Sequence, residues 1–106
     1  MTVNDFIGRL GLEVLNLDDG EREITGGYTG DLLSWVMSKA QSGDAWVTIM
    51  TNINVIAVAS LTDVACVIIA ENAEIAPEII ERAKAQGINL LRTDKTAWRV
   101  CAEPLQ

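Results

Sequence analysis

The sequence contains no histidine, and its two cysteines, Cys66 and Cys101, stand far apart without a CxxC spacing. Histidines and closely spaced cysteines are the usual ligands of protein metal sites and the usual groups of redox sites. We therefore expect no metal ion and no cofactor. Cys66 lies in an apolar stretch and is predicted to be a small buried hydrophobe, while Cys101 is expected to be a free, inert thiol.

Positive charge is scarce as well, with 8 Lys and Arg residues against 15 Asp and Glu residues and a formal net charge of −7. Such a chain does not attract phosphate backbones or anionic lipid, so neither nucleic acid nor a membrane is an expected partner. No apolar run approaches the ~20 residues that cross a bilayer, and no secretory-signal pattern opens the chain. We expect a soluble, cytoplasmic protein.

Groups suited to catalysis are also few. Without histidine, a general base would have to be a carboxylate or a lysine with a shifted pKa, and no spacing in the chain marks one. An enzyme would have to rely on Asp31, Asp94 or Lys95. The chain has neither a GxxxxGK[ST] P-loop nor a GxGxxG fingerprint. We therefore predict that the protein is not an enzyme.

What the chain does have is enough apolar residues for a core, since 49% of its 106 residues are hydrophobic, and we expect one domain over residues 1–106. Hydrophobic spacing predicts helices after Thr2, over 32–41, 53–61 and 77–86, and after 93–96, with strands over 12–17, 46–50, 65–70 and 88–92. Residues 21–25 suit an edge strand or an exposed connection. This alternation predicts an α/β fold, a three-layer sandwich with a largely parallel central sheet.

The stretch from Thr25 to Asp31 contains a glycine pair between a strand-like start and a helix-like continuation. It therefore predicts a strand-to-helix corner at which bare backbone faces a ligand. Ligands of parallel sheets bind beyond the carboxyl ends of the strands, where helix N-termini favour anions. The residues that follow strands at this expected rim are the candidate ligand-binding residues: Thr25, Gly26, Gly27, Tyr28, Thr29, Asp31, Thr51, Asn52 and Asn54.

Several of these residues have a simpler alternative role, because Thr29, Asp31, Asn52 and Asn54 are also typical helix caps. The sequence leaves both roles open. Among the aromatic side chains, Tyr28 lies beside the glycines and is the candidate for stacking on a ligand. The three tryptophans are expected in the core.

The predicted helix over 53–61 is apolar on nearly every side. Such a helix must be covered on more than one face, and a second copy of the chain could supply part of that cover. We therefore expect a homodimer.

The segment Glu23-Ile24-Thr25-Gly26-Gly27, the run over 28–37 and the segments 43–49 and 52–61 together resemble the DRTGG domain family in its stand-alone form. The resemblance continues through Ala70, the 77–87 helix and residues 90–93. Thr25, Gly26 and Gly27 match the family motif, whereas Glu23 and Ile24 stand where the motif has Asp and Arg. Contacts made by that arginine are therefore not expected here.

The resemblance implies an α/β module similar to the N-terminal domain of HPr kinase, with a regulatory or dimerising role and no reaction of its own. It also implies a link to hydrogenase or other electron-transfer components. Our first hypothesis is a regulatory homodimer that binds a small anionic ligand, a nucleotide or phosphate, at the glycine corner. The alternative is a purely structural interaction module that docks on an enzyme partner, in which the glycines only form a turn.

Overall fold

The computed structural model of the protein describes residues 1–103, which form five helices and five strands. The helices are α1 (Val3–Leu10), α2 (Leu33–Lys39), α3 (Asn54–Thr62), α4 (Pro77–Gln86) and α5 (Ala97–Ala102). The strands are β1 (Glu13–Asn16), β2 (Gly26–Thr29), β3 (Asp44–Thr48), β4 (Cys66–Ile69) and β5 (Leu90–Arg92).

The five strands form one sheet in the order β1-β5-β4-β3-β2. Strands β2 to β5 run parallel to one another, and β1 pairs with β5 in the antiparallel direction. Because β2, β3, β4 and β5 follow one another across the sheet, their three connecting helices α2, α3 and α4 lie on the same face. Helices α1 and α5 cover the other face. The predicted three-layer sandwich with a largely parallel sheet is confirmed.

Each face of the sheet has its own hydrophobic core. The core under α2, α3 and α4 contains Trp46, whose indole is fully buried and donates a hydrogen bond to the carbonyl oxygen of Gly30 at 2.9 Å. The core under α1 and α5 is built on Ile68, Leu91 and Val100. Strands β3 and β4 are buried on both faces, which explains why their sequences are apolar without alternation.

The helix boundaries follow local signals in the sequence. Thr2 and Asp5 form a reciprocal capping box at the start of α1, and Gly11 ends that helix in the left-handed conformation. Pro77 opens α4, and Gly87 closes it with φ of 69°. These predicted ends are confirmed.

The prediction for the glycine stretch was wrong in its local structure. Gly26 and Gly27 are not a corner after a strand but the first two residues of β2, paired with Asp44 and Ala45 of β3. The preceding residues 21–25 form no strand, and only Glu23 makes an isolated bridge, to Thr2. Glycine has a low intrinsic preference for strands, so β2 exists because β3 beside it supplies the pairing.

Helix α3 does not need a second copy of the chain to cover it. Its apolar side chains Val55, Ile56, Val58 and Ala59 are buried, because α3 lies between the sheet, α2 and α4. Leu61 is its exposed large side chain. The reason from which a homodimer was predicted is therefore removed.

The prediction that all three tryptophans lie in the core holds for Trp46 alone. Trp35 on α2 is 58% exposed, and Trp98 on α5 is 80% exposed. Both helices are short and bury chiefly a valine, Val36 in α2 and Val100 in α5, against the sheet. Within residues 1–103, no helix is both long and apolar enough to cross a membrane.

Candidate functional site

A groove with a volume of about 450 Å³ lies over β2 and β3 on the sheet face that carries α1 and α5. It is lined by Met1, Phe6, Ile24, Thr25, Gly26, Gly27, Tyr28, Thr29, Ala45, Val47, Val100 and Cys101. This volume falls within the range of small-molecule sites.

The floor of the groove is open because two small residues lie side by side in it. Gly27 of β2 is in register with Ala45 of β3. Side chains alternate along a strand, so Thr29 and Val47 face the same side as this pair. A Cβ atom built on Gly27 would meet only the carbonyl oxygen of Ala45, at 3.5 Å, which is an ordinary contact. A side chain at position 27 would therefore fit the backbone and occupy the groove.

The walls of the groove come from both helices of this layer and from the segment before β2. Phe6 of α1 and Ile24 pack against the hydrophobic core on this side of the sheet. On the opposite wall, Cys101 of α5 lies with its Sγ 2.9 Å from the hydroxyl oxygen of Thr29, so the two groups share a hydrogen bond. This contact ties α5 to the edge strand and places a polar pair in a largely apolar cavity.

The turn before β3 holds Thr25, which lines one end of the groove, in place. Gly43 has a positive φ of 87°, and a Cβ atom there would collide with the hydroxyl of Thr25. The backbone of Thr25 donates to the carbonyl oxygen of Gly43 at 3.0 Å. Glycine at position 43 therefore lets the two strands begin side by side.

Among residues 1–103, no lysine or arginine lines the groove. The N-terminal amine of Met1 contacts a carboxylate oxygen of Glu23 at 3.3 Å, and the Arg9 guanidinium lies 4.0 Å from the sulfur of Met1. The lining thus suits an uncharged or apolar group better than a phosphate. No cluster of three potential metal ligands occurs within residues 1–103. Burial raises the pKa of Cys66 to about 12, so this thiol is not reactive at neutral pH and is the buried hydrophobe that was predicted.

The candidate residues from the sequence are divided between two places. Residues 25–29 line the groove, whereas Asp31, Thr51, Asn52 and Asn54 do not. Asp31 accepts hydrogen bonds from the Thr48 hydroxyl at 2.7 Å and from the backbone N–H of Ile49 at 2.9 Å. Asn52 accepts from the backbone N–H of Asn54 at the start of α3. The caps of the β3–α3 loop and the glycine pair therefore lie toward opposite ends of their strands.

Tyr28 and Gly26 line the groove with their backbone atoms. Strand alternation directs both toward the other face of the sheet from Gly27, and the Tyr28 ring packs beside the core under α2, α3 and α4. A Cβ atom on Gly26 would lie 2.8 Å from a carboxylate oxygen of Asp44. The Tyr28 ring is thus committed to packing, away from the groove.

Sequence reasoning did not single out the groove residues outside the glycine stretch, which are Met1, Phe6, Ile24, Ala45, Val47, Val100 and Cys101. Phe6, Val47 and Val100 carry an apolar pattern that predicts packing equally well. The one available signal was the small residue Ala45 in an otherwise bulky strand, and it became informative only once its neighbour was known to be Gly27.

The sequence was also compared with protein-family models. The model described as the DRTGG domain matches residues 10–103. This match covers most of the chain, including β2, the groove floor and the α5 wall. The chain belongs to the DRTGG domain family. The Thr25-Gly26-Gly27 part of the family motif therefore enters β2 and lines the groove.

In this DRTGG domain, Ile24 stands at the position where the family motif has arginine, and its apolar side chain lines the groove. Glu23, in the Asp position, contacts the N-terminal amine. The groove wall at Ile24 is therefore apolar. A search of curated proteins finds no match to this chain.

Among solved structures, one similar to this DRTGG domain contains the CBS and DRTGG domains of the regulatory region of Clostridium perfringens pyrophosphatase, in complex with the activator diadenosine tetraphosphate. The TM-score is 0.77 at 16% sequence identity, with 99% of this chain covered. The chain spans 46% of the length of the chain in that structure. At this identity the likeness establishes the fold.

Proposed function

We propose that this DRTGG domain is a cytoplasmic, non-catalytic regulatory module that homodimerises and binds a small nucleotide-like ligand in the groove over β2 and β3. The groove itself is the observation that carries this proposal. It places the motif residues Thr25, Gly26 and Gly27 beside an open space of about 450 Å³. The similar solved structure belongs to a regulatory region that binds a dinucleotide activator, which supports the same class of role and ligand.

The lining supports recognition of the uncharged part of such a ligand. The half-buried side chains Phe6 and Ile24 offer apolar surface for a base, and the Thr29 hydroxyl together with the Cys101 thiol offers a hydrogen-bonding point. Pockets of this kind bind mainly through apolar contact, and a few polar groups fix the orientation. Because no lysine or arginine lines the groove, inorganic phosphate alone is expected to bind weakly.

The test of this proposal is Gly27→Val, which puts a branched side chain on the groove floor at a position where a Cβ atom fits. Adenosine and AMP are the probes, with inorganic phosphate as a comparison. For the wild-type domain we expect adenosine and AMP to raise the melting temperature by about 6 °C or more at a tenfold excess over Kd. Gly27→Val is expected to melt no lower than the wild type, because valine suits a strand better than glycine, and to lose the response.

The matched control is Gly8→Ala, which replaces an exposed glycine in α1 with no atom near the added Cβ. This variant is expected to gain about 0.5–1 kcal/mol of stability from helix propensity and to keep the ligand response. An unchanged response in Gly27→Val would place the ligand elsewhere. No stabilisation of the wild-type domain by either nucleoside or nucleotide would contradict the ligand proposal.

One set of observations favours the second candidate, a purely structural interaction module that docks on an enzyme such as an electron-transfer or hydrogenase component. Large apolar side chains lie at the surface on three helices: Leu32 and Trp35 at α2, Leu61 on α3 and Trp98 on α5. Exposed tryptophans are typical of protein interfaces. Loss of the groove in Gly27→Val would leave such docking unchanged, so the same variant separates the two candidates.

A further inference from the structure

Strand β2 has a free outer edge. It is the last strand of the sheet and pairs only with β3 within the described residues. Natural edge strands are usually protected by charged side chains, proline or a bulge, because their unpaired backbone groups can pair with another chain. The sequence of β2, Gly26-Gly27-Tyr28-Thr29, has none of these devices. The edge is short, but it is open to strand addition.

Helix α2 presents an apolar flank beside this edge. Leu32, Trp35 and Lys39 follow one another at spacings of three and four residues and share one side of the helix. Val36 and Ala40 of α2 face the core. Because the β2–α2–β3 crossover is right-handed, the residues just before them, Trp35 and Lys39, lie on the side of α2 that faces away from α3. That flank therefore lies on the side of α2 toward which β2 ends the sheet. Accordingly, Leu32 and Trp35 are 62% and 58% exposed, and the Lys39 ammonium lies 5.4 Å from the centre of the Trp35 ring.

We propose that a second copy of this chain pairs with β2 in the antiparallel direction, so that the two sheets continue across a twofold axis and the two α2 helices pack against each other. This inference rests on the homodimer of the proposed function and names its surface. An isologous contact of this kind presents the same edge twice and closes the assembly at two copies.

The expected distance between two α2 helices indicates that the partner at this edge is a second copy of the chain. Neighbouring strands are about 4.8 Å apart, and α2 connects β2 to β3 and lies over that pair. Two α2 helices related through a β2–β2 contact are therefore about 10 Å apart, which is the usual distance between packed helices. An added strand without a helix would leave Trp35 and Leu32 uncovered, whereas a second α2 covers both.

Charge also agrees with this arrangement. Antiparallel α2 helices bring the Lys39 end of one copy close to the start of α2 in the other, where Asp31 lies. Asp31 is an exposed carboxylate whose Oδ1 accepts its two internal hydrogen bonds. The pairing thus places opposite charges near each other at both ends of the helix pair.

The same contact joins the two ligand grooves. Each groove lies over β2 and β3, so the pairing of two β2 strands puts the grooves side by side on one face of the continuous sheet. A ligand that contacts both copies binds the dimer better than the monomer, and by linkage it strengthens the dimer by the same factor. The edge strand therefore couples ligand binding to assembly.

The test is Trp35→Glu, with Trp98→Glu as the matched control, because Trp98 is an exposed tryptophan on the opposite layer. Sedimentation of the wild-type protein at micromolar concentration is expected to give twice the 11.5 kDa mass of one chain. Trp35→Glu is expected to raise the dimer dissociation constant at least about thirtyfold, which is the usual effect of losing a central interface tryptophan. Trp98→Glu is expected to remain a dimer. Circular dichroism should show both variants folded.

Amide hydrogen exchange supplies a second readout that does not depend on a stable variant. The β2 amides should exchange more slowly in the wild-type dimer than in Trp35→Glu, with the β4 amides unchanged. A wild-type monomer would overturn both this inference and the homodimer of the proposed function. A dimer that survives Trp35→Glu, or one in which β2 is not protected, would overturn this inference alone. The comparison of ligand binding by Gly27→Val and the wild type tests the ligand proposal independently of the dimer.

Discussion

Replacing Asn89 by alanine is expected to reduce the free energy of unfolding by about 3 kcal/mol, because its side chain makes four hydrogen bonds in a buried position. Asn89 is 5% exposed. Its Oδ1 accepts from the backbone N–H groups of Asp18 and Asp19, at 2.7 and 2.9 Å. Its Nδ2 donates to the carbonyl oxygens of Asp19 and Ala65, at 2.8 and 3.0 Å. The side chain thus ties the turn after β1 to the segment before β4.

Urea unfolding of Asn89→Ala measures this loss. Asn54→Ala, at an exposed position in α3, is the control and is expected to stay within about 0.5 kcal/mol of the wild type. The β1 turn should also show faster amide exchange in Asn89→Ala than in the control, because its N–H groups lose their acceptor. A loss below about 1 kcal/mol would mean that water replaces these bonds and that the turn is held by other contacts.

The second large effect is expected at Asp31, where alanine should cost about 2 kcal/mol of unfolding free energy. The Thr48 hydroxyl, on a side chain 1% exposed, would lose its acceptor, and so would the Ile49 backbone N–H. Asp31→Asn keeps an acceptor oxygen in the same place and should recover at least half of the loss, although its uncharged bonds are weaker.

Asp31→Asn also separates two locations for the ligand. Since Asp31 does not line the groove, this variant is expected to keep the melting-temperature response to adenosine and AMP. Loss of that response in a folded Asp31→Asn protein would place the ligand at the ends of β2 and β3 and would contradict the groove.

The parts of the fold that the sequence predicted are those with local causes. The Thr2 cap, the Pro77 start and the Gly87 end are chemical signals that act within one turn of a helix, and the structure has each of them. The alternation of strands with apolar helices predicted the sheet and its layers in the same way. Such signals depend on a few neighbouring residues, so one sequence is sufficient to find them.

The parts that were wrong depend on contacts between distant segments. The glycine pair became a strand because β3 lies beside it, and nothing in the five residues around Gly27 encodes that neighbour. In the same way, Asn89 looks like an ordinary strand residue until the turn at Asp18 and Asp19 is placed next to it. Trp35 was expected in the core because it is apolar, but its exposure depends on the edge position of α2 in the layer.

The candidate site was located by sequence only through its glycines. The sequence interpretation took the bare glycine backbone as a mark of open space for a ligand and helix N-termini as the source of binding. In the structure, the open space lies over the sheet face, and the small pair Gly27 and Ala45 creates it. The sequence could not predict on which face of the sheet the open space beside the glycines lies, because this depends on which helices cover β2.

The groove is the centre of this account, and an NMR titration of the isotope-labelled protein with adenosine tests it most directly. We expect the amide signals of Gly27, Thr29, Ala45 and Cys101 to shift together and to saturate. Shifts confined to Asp31 and to the 51–54 loop, or no saturable shift at any residue, would contradict it.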